Sequence, residues 1–185
     1  MSNIMAWDEL TLLKQEAVST FNRRKSLTKE DIERFCDYME FVLCLIYGYG
    51  WKDAEQIVGI VPFKDGLDDR CVNLDIKGET FRDRVAEQAE LDSLDGLLRI
   101  INTEAHRDYN TGVYDAGKRS GQNVKKRWET MRDWKVRETH NYLQSTVVGI
   151  DDLFYTFDGD SAYAPGGFSQ PENNVNCRCW ITLVK

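Results

Sequence analysis

His106 and His140 are the only histidines in a chain of 185 residues, and each stands beside arginines and acids. His106 lies in Thr103-Glu104-Ala105-His106-Arg107. His140 closes the stretch from Arg132 and Asp133 through Arg137, and a third cluster, Asn176-Cys177-Arg178-Cys179, follows near the C-terminus. Two imidazoles with guanidinium groups can act as acid, base and phosphate clamp. A nuclease or transferase site is therefore one chemistry open to His106, Arg107, Arg137, His140 and Arg178. No nucleophile elbow, phosphate-binding glycine loop or paired-carboxylate motif goes with it. The same side chains can form a buried polar network, in which Asp133, Arg137 and Glu104 satisfy His106, His140 and Arg178. We read them as structural and assign no catalytic residue.

The thiols raise a second chemistry. His140, Cys177 and Cys179 offer three zinc ligands, with a fourth to come from His106, an aspartate or Cys71. The Cys-x-Cys spacing is not the usual Cys-x-x-Cys knuckle, so the expectation is no metal and no cofactor, with both cysteines as small apolar residues in the core of a last strand. A disulfide between such near neighbours would be strained. Asp158-Gly159-Asp160-Ser161 lacks the later acids of a calcium loop and reads as a turn.

A third feature is a basic run in an acidic protein. Lys118, Arg119, Lys125, Lys126, Arg127, Arg132, Lys135 and Arg137 face only Glu129 and Asp133 between residues 118 and 137. A solvated face is the common outcome for such a run; non-specific phosphate contact or a partner of opposite charge are its functional readings. The whole chain carries a net charge of −7 and a pI near 4.9, which argues against a nucleic-acid binder acting through its entire surface.

These residues need positioning by helices. Trp7, Leu10, Leu13, Ala17 and Phe21 form one apolar stripe, closed by Arg23-Arg24-Lys25. Thr28 and Asp31 are spaced as a capping box, with Leu27 and Ile32 as a staple. Ile32, Phe35, Cys36, Met39, Val42, Leu43 and Ile46 then recur at helical spacing, widened by Phe41 and Leu45, and Gly48 and Gly50 are expected to stop that helix. A short helix over 52–58 follows. Val72, Leu74 and Ile76 alternate as a short strand or extended arm. A helix over 80–88 precedes a long one over 93–120, lined by Leu94, Leu97, Leu98, Ile101, Ala105, Tyr109, Val113 and Ala116 and ended by Gly121. Residues 124–131, 146–148 and 177–184 read as strands, 136–143 as a short helix, and Gly159, Pro165, Gly166, Gly167 and Pro171 as markers of a long loop. No signal peptide or membrane span is read from the sequence, and reduced thiols in the cytoplasm are expected.

Several of these pieces, in this order, resemble the phage Mu protein F-like family of head morphogenesis proteins. They are Gly78-Glu79-Thr80-Phe81-Arg82-Asp83-Arg84, Thr103 to Arg107, Tyr109-Asn110-Thr111-Gly112, Lys126 to Met131 leading to Asp133, Arg137 and His140, and Pro165-Gly166 followed by Asn176 to Cys179. The resemblance covers residues 78–185 and leaves 1–77 as a helical, partner-docking region with a linker arm. Trp134 and Gln144-Ser145 depart from the pattern. The resemblance implies a non-enzymatic minor capsid protein of a tailed bacteriophage, made in the host cytoplasm and built into the procapsid in few copies. Its implied partners are the portal or major capsid protein, with non-specific contact to packaged DNA. Some relatives carry a toxin or enzyme domain after this module; with Lys185 so soon after Cys179, none is expected here. The expected fold is α+β, a helical N-terminal part followed by one long helix on a small, mainly antiparallel sheet. Glu104, His106, Arg107, Asp133, Arg137, His140, Asn176, Cys177, Arg178 and Cys179 would build its polar core. The alternatives are an enzyme using the His/Arg cluster and a DNA-binding accessory protein.

Overall fold

Two glycines a third of the chain apart organise this molecule. Gly50 and Gly112 lie where two long helices cross, and the crossing is too close for side chains. An added Cβ on Gly50 would sit 2.0 Å from the Tyr109 carbonyl oxygen, and one on Gly112 would sit 2.1 Å from that of Tyr47. The computed structural model describes residues 8–22, 27–63 and 79–185. The helices at the crossing are α2 (Lys29–Val58) and α4 (Leu94–Arg119). Gly48 and Gly50 thus do not stop α2; the helix runs through both and absorbs the short helix expected over 52–58. Glycine is a poor helix former, but here it supplies close backbone approach.

Around this pair lie α1 (Asp8–Phe21) and α3 (Phe81–Glu90). Leu10, Leu13, Ala17 and Phe21 are the buried face of α1, as their spacing predicts. Thr28 and Asp31 form the expected capping box, and Thr80 and Asp83 form a second one at the start of α3. Leu27 and Ile32 both pack against the core. Phe41 does not: it is exposed on the outer face of α2. Trp7, the run Arg23 to Lys25, Cys71, the alternation Val72 to Ile76 and the boundary between 77 and 78 lie outside the described residues. One apolar core is continuous from α1 and α2 into α4 and the sheet.

The sheet is small and antiparallel. β1 (Lys125–Glu129) is its centre, flanked by β2 (Val147–Gly149) and by β5 (Trp180–Val184), with Trp128 opposite Ile181. Between β1 and β2 lies α5 (Glu138–Asn141), shorter than expected. The long loop contains a hairpin that punctuation alone does not reveal, β3 (Phe154–Tyr155) with β4 (Ser161–Ala162), then α6 (Pro171–Asn174). Its turn takes in Asp158, Gly159 and Asp160, with Ser161 already in β4. Burial opposes ionisation of Asp160, yet bonds from Asn173, Ser169, Gln170 and Ser161 outweigh it and hold the carboxyl at about 2. Cys177 and Cys179 precede β5 and are not part of it. The fold is α+β, with α4 packed on the sheet.

The departures at 134 and 144–145 have local solutions. Trp134 is exposed. Ser145 adopts φ +63° where a glycine would be at ease. The Gln144 side chain braces that turn, accepting from the Thr130 N–H at 2.8 Å and donating to Glu129 at 2.8 Å.

Candidate functional site

The residues singled out by type and spacing fall into three separate groups, not one network. The first is a buried charge cluster on α4. Glu104 is fully buried and bridges Arg84 of α3, at 2.8 Å, and Arg107 one turn along its own helix. Arg107 also reaches Asp108 at 3.2 Å. Gly166 covers this cluster with φ +89°, its Cα facing Arg107 so closely that a Cβ would lie 2.8 Å from the arginine Cβ. Burial, opposed by Arg107, pushes the Asp108 carboxyl well above the usual carboxylate range.

Asp108 therefore has a predictable signature. The unfolded chain releases its proton near 3.8, while the folded chain keeps it to higher pH. Between those two values the native state binds more protons, so stability falls as pH rises. Asp108→Asn should flatten that decline. Thermal unfolding of both proteins from pH 4 upward checks it; parallel curves would rule it out.

The second group gathers His140 with the two thiols. His140 Nδ1 lies 3.4 Å from the Cys177 sulfur and 3.5 Å from that of Cys179. All three residues are buried. The imidazole stacks on Phe168 and meets Trp128 edge-on, with centroids 5.3 and 5.5 Å apart. Cys179 acts as donor to Cys177, which with His140 holds the Cys177 thiol well below its usual range and drives Cys179 up. Among the described residues, these three are the set that could share a metal.

The third group is peripheral. Asp133 and Arg178 form a two-pronged ion pair at the surface, which lowers the Asp133 carboxyl. Arg137 donates to the Val175 carbonyl, and Asn176 bends the chain with φ +54°. Asp133 and Arg137 thus do not satisfy the histidines, as the single-network expectation required. His106 is buried with neither ring nitrogen hydrogen-bonded, and desolvation lowers its pKa.

Spacing missed the residue that ties these groups together. Asn110 is fully buried on α4. Its amide donates to the His106 carbonyl at 2.7 Å and the Cys179 carbonyl at 3.2 Å, and its oxygen accepts from the Ile181 N–H at 2.9 Å. Its signals were a polar residue amid an apolar helical stripe and its place in the Tyr109-Asn110-Thr111-Gly112 piece of the family resemblance. Arg84, Asp108 and Trp128 were likewise missed as site residues.

The basic run is broken up by the fold. Lys126 is fully buried, its ammonium donating to the Ile150 carbonyl at 2.8 Å and lying 4.8 and 5.0 Å from the Tyr114 and Tyr163 ring centres. Burial lowers its pKa to about 8. The cause is register: Val124, Lys126, Trp128 and Thr130 alternate inward from β1. Lys126 cannot serve as the DNA or partner contact expected of it. Lys118 pairs with Asp151, and Arg127 and Arg132 share Glu129. Arg119 lies over the Trp51 ring and Lys135 over Trp134, while Lys125 is exposed on β1.

The family described as Phage Mu protein F like protein matches residues 73–182, well over half of the chain. The chain belongs to this family. The match takes in all three groups of this Mu F-like module, together with Asn110 and Gly112. Among curated proteins, the minor head protein GP7 of Bacillus phage SPP1 is 27% identical over 103 residues, covering 55% of this chain and 33% of that protein. The NAD(+)–arginine ADP-ribosyltransferase EFV of Enterococcus faecalis (strain ATCC 700802 / V583) is 39% identical over 85 residues, 44% of this chain and 17% of that protein. The chain thus spans a third or less of the length of these relatives. No solved structure matches it.

Proposed function

We propose that this Mu F-like chain is a structural minor head protein of a tailed bacteriophage, acting in procapsid assembly at or near the portal and residing in the virion. Family membership together with the similarity to the SPP1 minor head protein carries this reading. The geometry is consistent with it. Glu104 and Arg107 are engaged in internal ion pairs, and His140 is packed among rings and thiols, which suits holding a fold better than turning over a substrate. Among the described residues no helix is long and apolar enough to cross a membrane. The transferase named among the relatives shares 17% of its length with this chain, so its activity is not carried over.

Co-expression with the portal and major capsid proteins tests the proposal. The partner-facing surface is assigned to the N-terminal region, where Phe41 on α2 is 60% exposed and Ile60, just past its end, is 92% exposed. The full chain should co-purify with one of the two proteins, and Phe41→Glu or Ile60→Glu should weaken that association with no change in circular dichroism. Failure to associate with either would overturn the assembly role. RNA or DNA cleavage by the wild type that His106→Ala or His140→Ala abolishes would favour an enzyme instead.

A further inference from the structure

We propose that His140, Cys177 and Cys179 bind a zinc ion. Their three ligand atoms lie within 4.8 Å of one another and all three side chains are buried. The two sulfur–nitrogen edges match those of a zinc tetrahedron. Zn–S bonds of ~2.3 Å and Zn–N bonds of ~2.0 Å set sulfur–nitrogen edges at roughly 3.5 Å. The two edges here measure 3.4 and 3.5 Å.

The Cys-x-Cys spacing that argued against zinc turns out to serve it. The segment before β5 is extended, so alternate residues share a face. Both thiols point inward to His140, while Arg178 between them turns outward to Asp133. Two sulfurs converge on one imidazole nitrogen, and the bonds that Cys179 and His140 give Cys177 already favour a buried thiolate, the form a metal binds. A cation at the centre satisfies all three. Two thiolates and one imidazole are soft and borderline donors that select zinc over magnesium or calcium.

The surroundings also suit a bound thiolate. The Trp128 indole N–H is buried beside Cys179 and favours its thiolate, as a donor to a metal-bound sulfur would. The fourth position is left to a water, as in a site with three protein ligands. The metal would join α5 to the segment leading into β5, closing a loop of nearly forty residues.

The full chain, purified under reducing conditions and stripped with chelator, is titrated with cobalt(II). The expected result is a thiolate-to-cobalt charge-transfer band that saturates at a single cobalt per chain and is bleached by zinc. Elemental analysis after zinc loading should give one zinc per chain, and the double variant Cys177→Ser, Cys179→Ser should lose both signals. Should that variant fail to fold, the wild-type titration decides alone, joined by native mass spectrometry with and without chelator. A reduced, folded wild type showing no charge-transfer band and no retained zinc would overturn the proposal.

Discussion

Gly112→Ala should destabilise the protein by about 1–3 kcal/mol, the usual cost of overpacking a filled interface. That lowers the unfolding midpoint by roughly 2–12 °C in a domain of this size. The reason is positional. The new methyl would sit 2.1 Å from the Tyr47 carbonyl oxygen and 3.0 Å from the Trp51 nitrogen. Those atoms are backbone on α2, so relief requires the helices to part, and with them the core between α2 and α4. Gly50→Ala should act in the same direction, since its clash with the Tyr109 carbonyl is equally tight. Gly48 supplies the internal control. Nothing lies within 4 Å of its would-be Cβ, so Gly48→Ala should stabilise the helix by about 0.5–1 kcal/mol. Chemical denaturation of the three variants measures both signs, and a destabilised Gly48→Ala beside a neutral Gly112→Ala would refute the close crossing.

Glu104→Gln should cost about 3 kcal/mol or more. The volume is kept, so packing is not the cause. Removing the carboxylate leaves the buried Arg107 and the partly buried Arg84 without their shared counter-charge, and breaking a buried pair from one side costs about 3–5 kcal/mol. Asp108 cannot substitute, because burial favours its protonated form. The comparison is Asp133→Ala. It breaks an ion pair with Arg178 of similar geometry but at the surface, where such pairs contribute about 0–1 kcal/mol. Equal losses in the two variants, read from denaturant midpoints, would contradict the assignment of Glu104 to the buried frame.

The sequence was most legible where a local rule acts alone. The capping box at Thr28, the apolar faces of α1 and α4 and the α+β class follow from spacing and hydrogen-bonding chemistry. It was misleading where a residue's usual preference is overridden by a distant neighbour. Gly48 and Gly50 look like helix stops, and only the approach of Tyr109 shows why Gly50 belongs mid-helix. Lys126 reads as part of a charge run, yet the β1 register turns it into an aromatic cage. The site was legible as a set of residues but not as an arrangement. Which acid meets which base depends on the path from α4 to β5, and no spacing encodes it. Glu104 chose Arg84, some twenty residues upstream, over either histidine.

Asn110 has a consequence for how copies of this protein meet one another. An edge strand offers unpaired N–H and carbonyl groups that template the addition of a foreign strand. β5 is such an edge, with β1 on its other side. The Ile181 N–H at its heart is already taken by Asn110 of the same chain. The carbonyl of Cys179, just before the strand, is held by that side chain too. One amide thus imitates the missing neighbour strand and blunts growth of the sheet through β5. At high local concentration, that edge is guarded against fibre-like stacking by a side chain anchored in the core.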